Sequence, residues 1–271
     1  MVLSINTNAG AMTALRNLTS TTNMLKITQL RVPTGFRVNG SKDDASTFAI
    51  ANNLRGDICG TEAVKGALAA GESTVNVAIE AGKAVADLLI EMKAKTVQAN
   101  QAGLDSASLT VLHNDFTALR DQLSTIVATA EFNSVNLIKS GATNLTVLST
   151  AEGITITVTT QAMDTATLAI SASDLTTSAS AATALTAIDS AITSVSDKLA
   201  ALVSSAKRVE VQTNFTAQLV DILKEGVGNL VDANLAEESA KLQALQIKQQ
   251  LGVQALSIAN AAPQSVLALF Q

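Results

Sequence analysis

His113 and Cys59, the single histidine and single cysteine of the chain, and the carboxylate pairs Asp43/Asp44 and Glu237/Glu238 are the groups equipped for chemistry. A lone imidazole works as a zinc ligand or general base only with partners at set spacing. With one histidine no HExxH-type motif can form. His113 therefore reads as a structural or solvent-facing residue. A reactive thiol needs a basic neighbourhood to hold it as thiolate. Cys59 lies among small residues of a helical stretch, which predicts a small buried apolar group instead. Adjacent residues on a helix do not face each other, so neither carboxylate pair makes an acid/base dyad. Asp43/Asp44 reads as a helix cap, and Glu237/Glu238 as a solvated or inter-subunit face. Gly226-Val-Gly228 has no strand before it, so it is not a phosphate loop. The sequence thus predicts no catalytic, cofactor or metal site.

Composition directs attention to the elements instead. Hydrophobic residues make up 47% of the 271 positions, yet aromatics only 2%, with no Trp or Tyr. Small and aliphatic side chains suit helices packed at close distance. Two prolines and fourteen glycines leave few helix breakers. The net charge of −5 is spread out, with no basic run and few aromatics for base stacking, which argues against nucleic-acid binding. No stretch reaches the roughly 18 apolar residues of a membrane span. The N-terminus lacks the basic and apolar regions of a cleaved signal.

Along the chain the spacing predicts a mainly α protein. Residues 1–44 carry an apolar-periodic helix through Leu15, Leu18, Leu25 and Leu30. Pro33 and Gly35 are expected to interrupt it, and Gly40 breaks it again. Ser41-Lys-Asp-Asp44 resembles a capping box with Ser41 as N-cap, starting a helix through Phe48, Ile50, Leu54 and Ile58. Residues 45–101 read as interrupted helix, with Leu68, Val75, Gly82 and Leu89 at sevens. A turn at 100–106 leads to a helix with Leu109, Leu112, Phe116, Leu119, Leu123 and Ile126 at threes and fours.

Gly153–Thr160 alternates as a half-buried strand, with Ile154, Ile156 and Val158 on one face. Weaker strands are expected at 144–148 and 167–170. No Lys or Arg falls between Gly141 and Asp197, which predicts a small, acidic, outward-facing patch. Residues 181–229 return to helix, with Val209, Phe215, Leu219, Leu223 and Leu230 continuing its stripe. The last helix carries two apolar rows, Leu242/Leu245/Leu256 and Ile247/Leu251/Ile258. A helix apolar on two sides must be covered from two directions. Pro263 is expected to end it before a final apolar turn, Val266–Phe270.

Several motifs carry a family resemblance. Ser4-Ile-Asn-Thr-Asn8, Arg31-Val-Pro-Thr-Gly-Phe-Arg-Val-Asn-Gly-Ser-Lys-Asp-Asp-Ala45, Ala49-Ile-Ala-Asn-Asn-Leu-Arg55 and Glu131-Phe-Asn-Ser-Val-Asn-Leu137 resemble bacterial flagellin. So do Asp232-Ala-Asn-Leu-Ala-Glu-Glu238, Gln246-Ile-Lys-Gln-Gln250 and Ala259-Asn-Ala-Ala-Pro-Gln-Ser-Val-Leu267. The resemblance implies a filament subunit, with a terminal coiled coil at about 1–44 plus 229–271 and a helical bundle with a β-hairpin at 45–228. The chain leaves no room for large outer domains.

It further implies assembly through Leu15, Leu18, Leu25, Leu30, Leu242, Leu245, Leu251 and Leu256. The inter-layer linker would contain Pro33, Gly35, Gly40, Asp43 and Asp44. Implied partners are copies of itself, flagellin paralogues, an export chaperone, and the hook-junction and cap proteins. There would be no cofactor, nucleic acid or membrane insertion. Export would proceed through the flagellum's own channel, without a cleaved signal, to an extracellular filament. Competing readings are a hook–filament junction protein and a secreted helical adhesin. Departures from the family pattern include Val32-Pro33, Lys93-Ala-Lys-Thr-Val-Gln98 and Asn229-Leu-Val-Asp-Ala-Asn234, which point to a divergent or minor flagellin.

Overall fold

The structure is a computed structural model describing residues 7–267, with side chains through residue 261. Ser4, Ile5 and Asn6 of the opening motif, and the side chains of Val266–Phe270, lie outside the described residues. Among the described residues five helices and four short strands follow in the order α1 (Ala9–Thr34), α2 (Ala45–Ala99), α3 (Ser106–Thr129), β1 (Glu131–Phe132), β2 (Val135–Asn136), β3 (Leu145–Leu148), β4 (Thr155–Val158), α4 (Ser178–Val231) and α5 (Leu235–Leu267). The chain divides into two compact units, Met1–Gly56 with Ile222–Gln271, and Asp57–Asp221.

The second unit is a bundle built on heptads. Thr61, Val64, Leu68, Gly71, Val75, Ala78, Gly82, Val85, Leu89, Met92, Thr96 and Ala99 are all buried on α2, at alternating steps of three and four. Such a repeat places one narrow seam against its neighbours. The α2 helix is continuous, so the expected interruptions do not occur. Gly71 and Gly82 continue the seam because the space for a side chain there is already filled. A Cβ at position 71 would lie 2.5 Å from Val147 Cγ2, and one at position 82 would lie 2.8 Å from Leu199 Cδ2. The α3 helix buries Leu109, Phe116, Leu123 and Val127. On α4, Ala181, Ala184, Ile188, Ala191, Val195, Leu202 and Val209 join the same core.

Two antiparallel hairpins lie between α3 and α4 in the chain: β1 with β2, and β3 with β4 in the register Leu145↔Val158 to Leu148↔Thr155. The alternation in β4 is as expected for Ile156, half-buried, and Val158, buried, between exposed threonines, but Ile154, expected on the same face, precedes the strand and is 63% exposed. The 167–170 segment is a turn rather than a strand. Ala169 adopts a positive φ of 56° there, and Asp164 accepts hydrogen bonds from the Thr167 N–H and hydroxyl. Nor is the segment simply outward-facing. Met163, Leu168, Ile170 and Leu175 are buried in the core. Lys198 of α4 donates to the Ala162 carbonyl, and Arg120 of α3 to the Ser171 carbonyl at 2.9 Å.

Candidate functional site

The first unit holds α1 and α5 as an antiparallel pair. At one end the Asn8 side-chain amide donates to the Ala259 carbonyl at 2.7 Å. At the other, Arg31 Nη1 meets Glu238 Oε1 at 3.2 Å. Between them Leu18 lies against Gly252, where a Cβ would come within 3.1 Å of Leu18 Cδ1. Each helix turns one heptad stripe toward the other. On α1 it runs through Ala11, Ala14, Leu18, Thr21, Leu25, Thr28 and Val32, all buried or half-buried. On α5 it runs through Glu238, Leu242, Leu245, Gln249, Gly252, Leu256 and Ala259.

The eight leucines singled out in the sequence therefore fall into two sets. Leu18, Leu25, Leu242, Leu245 and Leu256 lie in the stripes between the helices. Leu15, Leu30 and Leu251 are 53%, 49% and 60% exposed. Met12, Met24 and Ile27 on α1 are exposed with them, as are Leu235, Ile247, Val253 and Ile258 on α5. The second apolar row of α5 is thus uncovered within one chain. Sequence reasoning missed Gly252 and Gln249 as stripe positions. Gly252 has no apolar side chain to count, and Gln249 read as part of the polar remainder. A step of three or four from Leu245 and Leu256 reaches both.

Glu237 and Glu238 have different fates. Glu237 is exposed and pairs with Lys241 at 2.7 Å; that contact, by hydrogen bond first and charge second, holds its carboxyl below the usual range. Glu238 is 5% exposed and is held by Arg31, so it is not a solvated residue. A buried carboxylate is tolerated only when paired. The next stripe position, Leu242, lies four residues on, which places Glu238 inside the stripe and Glu237 outside it.

The residues expected to form the linker lie at and beyond the end of α1, where the chain clasps the start of α5. Pro33 does not interrupt α1, which runs to Thr34 and ends on Gly35 in the left-handed region at φ 71°. A proline in the last turn forfeits only one internal hydrogen bond, and Gly35 supplies the terminator. Pro263 likewise lies inside α5 rather than ending it. Beyond Gly35, Phe36 bridges Asp232, Arg37 N–H donates to the Val231 carbonyl at 2.7 Å, and Ala233 N–H to the Gly35 carbonyl at 2.8 Å. Arg55 stacks 5.8 Å from the centre of the Phe36 ring.

Asp43 Oδ2 accepts from the N–H groups of Asn39 and Gly40, closing the turn before α2. Asp44, not Ser41, caps α2, accepting from the Ser46 and Thr47 N–H groups and hydroxyls. Those bonds, the Thr47 hydroxyl foremost, lower its pKa to about 2. Asn234 Oδ1 caps α5 through the Ala236 and Glu237 N–H groups.

The remaining candidates for chemistry are accounted for. Cys59 is exposed rather than buried, because Ile58 and Thr61 occupy the inward positions beside it. Phe215 is 56% exposed, while Thr216 takes the inward position. Gly226 and Gly228 lie within α4. Lys93 and Lys95 are tied to Asp189 at 2.6 Å and Asp115 at 2.7 Å. Among the described residues no group of three His, Cys, Asp or Glu side chains could hold a metal ion, and no helix is long and apolar enough to cross a membrane.

A terminal helix pair with an unsheltered apolar face, joined in sequence to a helical bundle, is the arrangement of a structural protein. Comparison with known proteins gives the family. Residues 5–143 match the bacterial flagellin N-terminal helical region, and residues 185–270 match the bacterial flagellin C-terminal helical region. Flagellin FljK of Caulobacter vibrioides is 44% identical over 269 residues, covering 99% of this chain and 98% of the relative. A flagellin of Brucella melitensis is 34% identical with 99% of each chain covered. A putative flagellar hook-associated protein from Vibrio parahaemolyticus shares the fold at a TM-score of 0.59 and 12% identity, covering 70% of this chain and 100% of that one.

The chain belongs to the bacterial flagellin family. It is a short flagellin, a structural subunit of the flagellar filament outside the cell, and its uncovered apolar face is consistent with self-association. The junction-protein and adhesin readings are not favoured.

Proposed function

We propose that this flagellin polymerises through the terminal pair, its residues 1–44 and 229–271 forming an inner layer and residues 45–228 the layer outside it. Leu18, Leu25, Leu242, Leu245 and Leu256 hold the pair together within one copy. Leu15, Leu30 and Leu251 are covered only by neighbouring copies. Pro33, Gly35, Gly40, Asp43 and Asp44 form the linker between layers. The observation that supports this is the set of ten large apolar side chains on α1 and α5 that are at least 46% exposed. Burying what remains of them yields on the order of 10 kcal/mol. That is comparable to the whole stability of a typical domain of about 5–15 kcal/mol.

Export follows the flagellum's own channel without a cleaved signal. An export chaperone, cap and hook-junction proteins and sister flagellins are the further partners. The exposed Gln243, Gln246, Gln250 and Gln254 give α5 an uncharged face suited to lining that channel.

The test is electron microscopy of cells whose only flagellin is a Leu15→Asp/Leu251→Asp variant. Secreted protein that retains a folded 57–221 unit but builds no filament is the expected result. Filaments of normal length would overturn the reading.

A further inference from the structure

His113 meets two groups that make opposite demands on one atom. Its Nδ1 is 3.3 Å from the Leu175 backbone N–H, which it accepts, and 3.2 Å from Asp174 Oδ1. A bare Nδ1 can accept from Leu175 but cannot donate to the carboxylate. A protonated Nδ1 can donate to Asp174 but offers Leu175 no lone pair. The two bonds therefore exclude each other: the neutral ring with its proton on Nε2 accepts from Leu175, and the charged ring, protonated on both nitrogens, donates to Asp174.

What hangs on the choice is the lead-in to α4. Leu175 is fully buried in the core of the 57–221 unit. Two residues on, Thr177 Oγ1 accepts from the Ser180 N–H at 3.1 Å, and Ser180 Oγ accepts from the Thr177 N–H at 3.1 Å, closing the first turn of the helix. Arg120 fastens the other side of the same stretch through the Ser171 carbonyl.

The surrounding charges are few. Asp174 belongs to the lead-in itself. Its own Thr176 hydroxyl and N–H hold its carboxyl below the usual range, so it stays ionised in mild acid. On α3 the charges are Asp115, paired with Lys95 of α2, Arg120 and Asp121, with Asp105 at its N-cap. Beyond Lys95 α2 carries none, and α4 has none before Asp189.

We propose that His113 is a protonation-dependent latch, holding the Leu175 backbone when neutral and releasing it to engage Asp174 when charged. Acid would thereby loosen the entry to α4 without unfolding the bundle. This stands independently of how copies assemble.

The test uses the full-length monomer. As the only histidine, His113 gives a single imidazole signal whose titration by nuclear magnetic resonance is unambiguous. Amide exchange of the peptide containing Leu175, corrected for intrinsic rates, is followed across the same pH range. Protection at Leu175 should fall about fivefold, the factor expected of one neutral hydrogen bond, with the midpoint of the imidazole titration. His113→Gln, whose carbonyl accepts at every pH, should keep protection and lose the pH dependence. His113→Ala should be poorly protected throughout. Protection that is flat across the wild-type titration would overturn the proposal. So would a His113→Gln variant as pH-sensitive as wild type.

Discussion

Asp44 and Gly71 show what single positions contribute. Asp44 is half-buried, and its carboxylate is held ionised by the first N–H groups and hydroxyls of α2. Its folded pKa of about 2 lies below the ordinary carboxylate value, so the stabilisation is present above about pH 4 and is lost as pH falls through about 2. The acid-unfolding curve of Asp44→Ala, followed by circular dichroism, should therefore be shallower than wild type in that window and differ least below it. Gly71 is different, because Val147 occupies the place of its side chain. Gly71→Ala should lower stability by about 1–3 kcal/mol through overpacking. Gly66→Ala, five residues earlier on the same helix with nothing within 4 Å, should raise it by about 0.5–1 kcal/mol through helix propensity. Urea unfolding of the two variants separates the cases. If Gly71→Ala proved as benign as Gly66→Ala, the β3–β4 hairpin would not be seated on α2 as described.

At the scale of elements, legibility followed periodicity. The α3 stripe, the turn at 100–106 and the alternation of β4 could be read because one side chain in two, three or four is apolar for several repeats. Punctuation was read less well. Pro33 and Pro263 looked like stops, yet both lie within helices. The capping role fell to Asp44 because its carboxylate, and not the Ser41 hydroxyl, reaches the Ser46 and Thr47 N–H groups. Cys59 and Phe215 looked apolar enough to bury and are not, because heptad phase outranks side-chain type. The 167–170 segment has strand-like composition, but no partner strand lies beside it, and its apolar residues reach the core from a turn. The β1–β2 hairpin escaped notice because its two-residue turn, Asn133-Ser134, lacks the glycine that marks such turns. Both residues hold positive φ, 49° and 63°. A non-glycine residue there bears a strain of about 1 kcal/mol. Ser134→Gly should therefore raise the melting temperature measurably, and a lowered one would count against the turn.

For the whole molecule the decisive contrast is between its two units. The 57–221 unit buries a continuous core of its own, whereas the terminal pair has narrow stripes of small and polar residues and a large uncovered face. Helices that depend on tertiary packing are marginal without it. Amide exchange should accordingly show α1 and α5 weakly protected in dilute monomer and strongly protected in polymer, with α2 to α4 of the bundle protected in both. Equal protection of the termini at high dilution would mean that the pair stands alone. The sequence could announce that both ends carry more apolar surface than one chain can use. It could not sort which leucines face the partner helix, since that depends on the phase of two stripes meeting in space.

Cys59 stands one position off the buried seam of α2, open to solvent and without a second thiol anywhere in the chain. A thiol-reactive dye therefore attaches once per molecule, at a chosen and uniform place. Mixing two colours in alternating pulses would write bands along a growing fibre. The order of those bands would report directly which end elongates and how fast.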